Sequence, residues 1–208
     1  MTKCAILGAS GHGKVIADMA ELNGYTEVHF FDDRWPQLNS IAHWSVKGDT
    51  PHLLDSVSTY DLVTVAIGHN TIRLNKLELL KNAGAKLMPL IHPSASVSRY
   101  ANLGQGSVVM ANAVINAFVS IGIGAIINTC ASVDHDCELA DGVHISPNAS
   151  LAGSVHVGRL SWIGIGAQIK QLTRIGHEVV IGAGATVIRD VPDFEVVVGT
   201  PASTISRK

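Results

Sequence analysis

Charge, aromatic residues and cysteine are all scarce in this sequence, and each scarcity removes a class of function. Charged residues occupy 15% of the 208 positions and sum to a formal charge of -2, with Lys and Arg scattered along the chain. No basic field exists to hold nucleic acid or an anionic membrane surface, so neither is expected as a partner. The three cysteines, Cys4, Cys130 and Cys137, are odd in number and lack the spacing of a disulfide framework, which points to a reducing, cytoplasmic setting. Met1 to Ser10 has neither a basic n-region nor a cleavage site, and no run reaches the roughly 18 apolar residues of a membrane span. What is plentiful is apolar material, 47% of the chain, enough for one large domain or two small ones. Small-molecule chemistry is the class left.

Two different periods divide the chain at about residue 90. Residues 1–90 alternate β-rich runs with helical spacing, the pattern of a small α/β domain. Strands are expected at Lys3 to Gly8, Val28 to Asp32, Leu62 to Gly68 and Lys86 to Leu90. Helices are expected over Lys14 to Asn23 and Thr71 to Ala83, the second with Leu74, Leu77 and Leu80 on one stripe.

From Ile91 an aliphatic residue recurs at every sixth position, through Val97, Leu103, Val109, Ile115, Ile121, Ile127, Val133 and onward to Val187, with no member missed. A small or β-branched residue stands two places before each, as at Ala113, Ala125, Ala131, Ala149, Ala167 and Ala185. Such a hexad makes one short strand and one bend: the aliphatic fills an interior and the small residue avoids crowding it. Three hexads close a triangular coil of eighteen residues.

Several residues stand where chemistry is expected. Gly8-Ala9-Ser10-Gly11-His12-Gly13-Lys14 lies between the first strand and first helix, where free backbone N–H groups and the helix dipole favour a phosphate. Its spacing is not that of a dinucleotide fingerprint. Phe31-Asp32-Asp33 and Ile67-Gly68-His69-Asn70 follow the next strands, at the sheet edge where ligands of open α/β sheets bind. In the coil, His135 falls two residues after Val133, at a bend, with Asp136 beside it on the same side. A histidine held by a carboxylate suits general-base work. Gly153, eighteen residues on, stacks over His135, whereas His144 lies half a coil away. No cysteine is expected at a bend comparable to that of His135, so a covalent cysteine route is set aside.

The hexads and the closing segment Val191-Pro192-Asp193 to Val198-Gly199-Thr200-Pro201-Ala202 resemble the left-handed parallel β-helix of hexapeptide-repeat acyltransferases. Together with Gly8 to Gly13, Phe31-Asp32-Asp33, Ala66-Ile67-Gly68 with Arg73, and Val133-Asp134-His135-Asp136, the chain resembles the PglD/NeuD group of bacterial sugar acetyltransferases. It carries His69 where that group more commonly has Asn. The resemblance implies a Rossmann-like nucleotide-sugar-binding domain, 1–90, followed by a left-handed β-helix, 91–208, that binds acetyl-CoA and acts as a homotrimer. It implies substrate binding by Ser10, Gly11, His12, Asp32, Asp33 and Gly68. His135 is then the base, Asp136 its support and Gly153 N–H the oxyanion donor, while His144, Ile165 and Ala183 line the acetyl-CoA groove with His144 at the thioester end. Lys170, Arg174, Arg189 and Arg207 are candidates for CoA phosphates.

The implied reaction is acetyl-CoA-dependent N-acetylation of a UDP-linked 4-amino-sugar for surface glycans, with UDP-4-amino-4,6-dideoxy-N-acetylglucosamine as acceptor and UDP-N,N'-diacetylbacillosamine as product. O-acetylation of sialic acid or another sugar hydroxyl, and a non-catalytic nucleotide-sugar sensor, are the alternatives. A zinc site of the γ-carbonic anhydrase kind would need two histidines about five residues apart in one coil. No pair among His92, His135, His144, His156 and His177 has that spacing, so no metal is expected.

Overall fold

The computed structural model describes residues 1–205. Two compact units divide the chain, Met1–Pro93 and a second unit that begins at Ser94.

In the first unit β1 (Lys3–Leu7) runs into α1 (Gly11–Leu22), then β2 (Glu27–Phe31), the short β3 (Ser40–Ile41), β4 (Trp44–Gly48), α2 (Thr50–Ser56), β5 (Leu62–Val65) and α3 (Asn70–Asn82). The sheet order is β3-β4-β2-β1-β5, parallel except for the edge strand β3. Strands β1 and β5 are nearly continuous apolar runs because both of their faces are covered, and Cys4, Ala5, Ile6, Leu62 and Val63 are buried. The chain leaves β1 for β2 on one side and later returns to β5 on the other. That reversal opens a crevice at the carboxyl ends of these strands.

The expected strand over Lys86 to Leu90 is corrected. Residues 85–89 form no strand, although Lys86 O still accepts a hydrogen bond from Val63 N at 2.9 Å; only Leu90–Ile91 pairs. The hairpin β3–β4 and helix α2 have no counterpart among the expected elements. Trp44–Gly48 carries a single buried aliphatic, Val46, and offers no clear alternation to read.

The second unit is a coil of two-residue strands in three parallel sheets, each strand up to Thr186–Val187 paired with the one eighteen residues away; the closing strand Val196–Val198 pairs at sixteen and turns back antiparallel to Ser203–Thr204. Face one includes Val114–Ile115, Ser132–Val133 and Ser150–Leu151. Face two includes Ser120–Ile121, Glu138–Leu139 and His156–Val157. Face three includes Ile126–Ile127, His144–Ile145 and Trp162–Ile163. The second residue of each strand is the aliphatic of the hexad, and Ile115, Ile127, Val133, Ile145, Val157 and Ile163 are all buried. Each such burial contributes about 1.5–3 kcal/mol, so the interior stripe drives the winding.

Where the inward small position is a serine, its hydroxyl satisfies a corner. Ser161 Oγ donates to Gly176 O at 2.6 Å and accepts from Val179 N at 3.0 Å. One residue at most corners takes the left-handed conformation, for example Asn112, Asp136 and Asn148 with φ near +57 to +59°. Asn and Asp tolerate that region better than most side chains. Among the described residues no helix is long and apolar enough to cross a membrane.

Candidate active site

The corner after face one carries Asp134, His135 and Asp136. Asp136 has φ +59°, which breaks the strand alternation and swings its carboxylate beside the preceding imidazole. His135 Nδ1 lies 2.7 Å from Asp136 Oδ2. An ionised carboxylate only accepts, so Nδ1 carries the proton and Nε2 presents its lone pair. The hydrogen bond that Nδ1 donates to Asp136, followed by the charge of Asp134, raises the imidazole's pKa above its ordinary value. Asp134 Oδ1 accepts from His135 N at 2.8 Å and from Asn116 Nδ2 at 2.7 Å, which fixes the backbone of the corner. This Asn116–Asp134 link is absent from the expected site, although the eighteen-residue interval between the two could have revealed it.

Gly153 lies against the ring of His135. A Cβ there would stand 2.6 Å from both Cε1 and Nε2, so only glycine leaves the imidazole its place. His144 opens a face-three strand, with its ring parallel to that of Trp162 at 5.8 Å between centroids. Ile165 and Ala183 are exposed and stack one coil apart at the corner after face three, with Gly184 N donating to Ile165 O at 2.8 Å. One chain therefore sets His135 and Gly153 at one corner and Ile165 and Ala183 at another.

A larger groove of ≈ 670 Å³ crosses face two past Glu138, His156 and Arg174, and neither His135 nor His144 lines it. Its Glu138–His156 contact, 3.2 Å, is a cross-strand pair on an exposed ladder. Lys170, Arg174 and Arg189 are exposed, and Arg207 lies outside the described residues.

The expectation of no cysteine at a bend is corrected: Cys130 sits exposed at the corner after face three, φ +57°. It holds the hexad position of Asp136, one place after that of His135. Cys137 is buried, and that burial pushes its thiol up to about 11. Among the described residues no group of three or more His, Cys, Asp or Glu could hold a metal ion.

In the first unit a cavity of ≈ 260 Å³ opens at the carboxyl ends of β1, β2 and β5 and is lined by Gly8, Ser10, Asp32, Asp33, Gly68 and Lys76, among others. Gly8 has φ +115°, and a Cβ there would stand 2.8 Å from Ala66 O. Asp32 is largely consumed by protein donors: Oδ2 accepts from Ala9 N at 2.8 Å, and Arg34 binds both oxygens at 2.7 and 2.9 Å. The Arg34 hydrogen bonds hold its carboxyl down at about 2. Asp33 accepts from Thr50 N, Thr50 Oγ1 and Lys76 Nζ at 3.0, 2.6 and 2.8 Å. Partial burial pushes its pKa up, but the Lys76 and Thr50 hydrogen bonds leave it below the ordinary carboxylate value.

Gly11 and His12 do not line this cavity. Gly11 faces open space. His12 Nε2 is buried with no hydrogen-bond partner among the described residues, and burial, then the charge of Arg73, pushes its pKa down to about 4. Arg73 is itself buried and clamps the loop after β5, donating to Ile67 O at 3.0 Å, Gly68 O at 2.9 Å and Asn70 Oδ1 at 2.8 Å. Lys76 and Thr50 do not stand out in the sequence, since their partner Asp33 lies 43 and 17 residues away; Arg34 bonds Asp32 only two residues back.

An α/β unit with a polar cavity at its strand ends, followed by a hexapeptide coil with a carboxylate-held imidazole over a glycine, has the parts of a coiled acyltransferase. Residues 3–80 match the PglD N-terminal domain family. The chain is 36% identical over 117 residues to UDP-N-acetylbacillosamine N-acetyltransferase of Bacillus subtilis, a match covering 53% of this chain and 52% of that one. The chain thus spans about half the length of that relative. It is 32% identical to GDP-perosamine N-acetyltransferase of Escherichia coli O157:H7, covering 69% and 67%.

Among solved structures, the acetyltransferase domain of PglB from Neisseria gonorrhoeae, in complex with acetyl coenzyme A, superposes with TM-score 0.94 at 47% identity over 98% of both chains. PerB from Caulobacter crescentus, in complex with CoA and GDP-perosamine, gives 0.93 at 36% identity over 99% and 98%. The chain belongs to this PglB/PglD and PerB family of sugar acetyltransferases, and its coil is a left-handed β-helix.

Proposed function

We propose that this protein transfers an acetyl group from acetyl-CoA to the 4-amino group of a UDP-linked sugar, UDP-4-amino-4,6-dideoxy-N-acetylglucosamine, giving UDP-N,N'-diacetylbacillosamine. The observation that carries the reading is the His135–Asp136 contact of 2.7 Å with Gly153 packed against the imidazole; in the neutral ring that contact puts the proton on Nδ1 and leaves Nε2 as the acceptor. The amine attacks the thioester carbonyl while His135 Nε2 takes the proton it loses. Gly153 N–H donates to the oxygen that becomes negative in the tetrahedral intermediate. The intermediate collapses by breaking the C–S bond, and the departing CoA sulfur takes the proton from His135.

Residues 1–90 hold the nucleotide sugar in this reading. Ser10, Gly11 and Gly68 offer backbone and small side chains to it, while Asp32 and Asp33, already bonded within the protein, shape the turn. His12 acts from behind the turn. The coil binds acetyl-CoA along His144, Ile165 and Ala183. Because those residues lie on face three or at the corner after it and His135 lies at the corner after face one, the site in this reading is shared between neighbouring copies of a homotrimer.

Thiol release with acetyl-CoA tests this directly. Turnover is expected with the UDP-4-amino-sugar and not with GDP-perosamine; no turnover with either removes the acetyltransferase reading, and preference for GDP-perosamine replaces the nucleotide assignment. The shared site has its own test. His135→Ala and Ala183→Trp trimers, each nearly inactive, should regain on the order of a quarter of full activity when unfolded together and refolded as mixed trimers, because about that share of interfaces joins two intact halves. No recovery in mixed trimers places both halves on one chain.

A further inference from the structure

One side-chain position repeats a task along the coil. Ser107, Cys137 and Ser161 each stand two places before a hexad aliphatic, are buried, and donate to the carbonyl fifteen residues on. Ser107 Oγ reaches Gly122 O at 2.9 Å, Ser161 Oγ reaches Gly176 O at 2.6 Å, and Cys137 Sγ reaches Ala152 O at 3.2 Å. A thiol is a weak donor, and the recurrence of one geometry at two serines is what identifies its contact as a hydrogen bond. Burial pushes the Cys137 thiol up to about 11, so the sulfur keeps the proton it donates.

A trans peptide group is planar, with its C=O and N–H on opposite sides. A carbonyl held toward the buried side chain therefore sends the N–H of the next residue outward, which is the N–H of Ile123, Gly153 or His177. Two of the three hold a carboxylate oxygen: Ile123 N donates to Asp141 Oδ1 at 2.7 Å and His177 N to Asp193 Oδ1 at 2.8 Å. At other corners the matching N–H is also taken, that of Thr129 by Asn128 Oδ1 and that of His135 by Asp134 Oδ1, both at 2.8 Å. Gly153 N donates to no acceptor among the described residues. One coil further on, where Ile123 has Asp141, Gly153 has Gln171. The coil thus shows twice that this peptide geometry binds an oxygen bearing negative charge, and at the third, beside His135, the chain supplies none.

We infer that Cys137 is a positioning residue for acetyl transfer, whose thiol, by donating to Ala152 O, orients and polarises the Ala152–Gly153 peptide so that Gly153 N–H meets the oxygen of the tetrahedral intermediate. The inference rests on the reading above that Gly153 N–H is the oxyanion donor. A hydrogen bond accepted by the carbonyl strengthens the N–H of the same peptide group as a donor. Alanine, which holds the matching position at Ala113, Ala131 and Ala149, keeps the coil wound but has nothing to donate.

Cys137→Ala and Cys137→Ser separate donation from packing. The alanine variant is expected to lower kcat by about three- to tenfold with the KM for acetyl-CoA changed by less than about threefold, because the donor acts on the transition state. The serine variant, with the hydroxyl that the coil uses at Ser107 and Ser161, should restore what alanine loses. The contact itself is read without turnover, in the full chain labelled with carbon-13 at alanine carbonyls and nitrogen-15 at glycine. Only the Ala–Gly peptides report there, those that begin at Ala83, Ala152 and Ala183, and Ala152 is assigned by the signal lost in Ala152→Ser. Cys137→Ala should move the Ala152 carbonyl signal upfield and leave the Ala83 and Ala183 signals in place, which also shows that the variant is folded.

An Ala152 signal that does not move overturns the contact and with it the inference. A moved signal with unchanged kcat overturns the role in transfer. A serine variant as slow as the alanine variant assigns the effect to the volume of the thiol and overturns donation. Absence of acetyl transfer in the unaltered protein removes the proposed function and the oxyanion role together, while the carbonyl signal still reports the contact, so the two failures are told apart.

Discussion

The two units of this protein build their sites by opposite means. In the coil, winding places residues eighteen apart over one another, so a site is assembled from near-identical corners that differ only in side chain. Asp134, His135 and Asp136 occupy one such corner, and the glycine that makes room for the imidazole is one turn away. In the α/β unit nothing repeats. The cavity at the strand ends is shaped by long-range bonds, Asp33 to Thr50 across 17 residues and Lys76 to Asp33 across 43. The coil thus builds its candidate site from residues one turn apart, whereas the α/β unit builds its own from residues far apart in sequence.

The largest expected effect tests the coil. His135→Ala should lower kcat by roughly two to four orders of magnitude with little change in acetyl-CoA affinity, since it removes the base and leaves the groove intact. Steady-state kinetics with acetyl-CoA titrated at saturating sugar nucleotide reads both quantities, and near-normal turnover would dismiss the base. Asp136→Asn should act less strongly and move the acid limb of the pH–rate profile. The Asp136 hydrogen bond raises the imidazole pKa, so its loss lets His135 stay unprotonated to lower pH, and the limb moves down. A limb that stays put breaks the pairing.

What the sequence can disclose follows the same division. The six-residue period locates the coil strands to the residue, because a hexad is a local rule, and counting eighteen along the chain is enough to set Gly153 over His135. It does not disclose Asn128 or Trp162. Periodicity says which residues stack but not which polar groups off that register meet between neighbouring coils, and Asn128 and His144 are 16 apart, two short of a full turn. In the α/β unit the glycine turn and Asp32-Asp33 are legible as strand-end features. Lys76 is not, for its partner Asp33 lies 43 residues away and is set by the tertiary fold, whereas Arg34 stands only two residues from Asp32. Cys130 shows the period applied too narrowly, since the place beside the His135 position of a bend can also be exposed to solvent, as it is at Cys130 and Asp136.

A smaller effect, on stability, tests how closely the α/β unit is packed. His12 titrates at about 4 in the folded chain against an ordinary 6.5, so the folded state takes up its proton later than the unfolded state as pH falls. The unfolded state binds more protons across that window, so stability drops as pH falls from about 6.5 to 4, by about 3 kcal/mol at most from this residue. His12→Gln removes that share. Urea denaturation at pH 7 and pH 4.5 should show the variant losing less stability on acidification than the parent, and equal losses would mean that His12 charges freely in the folded chain.

The smallest expected effect distinguishes two glycines of one turn. A Cβ on Gly13 would run into Gly8 O and stand 2.8 Å from Phe30 Cε1, so Gly13 is there to let α1 lie close on the sheet. A Cβ on Gly11 meets nothing within 4 Å. Gly11 is the first residue of α1, where valine is a somewhat better helix former than glycine, so Gly11→Val should fold with unchanged or slightly raised stability. If the open space at Gly11 is where the sugar nucleotide approaches the helix N-terminus, the branched side chain should raise its KM by about tenfold and leave the KM for acetyl-CoA alone. Gly13→Ala should instead lower stability by about 1–3 kcal/mol through overpacking and disturb both constants together. Gly11→Val with both KM values unchanged would show that the nucleotide never reaches this turn. Equal rises in both would show that the space is closed in the working enzyme by something other than the nucleotide.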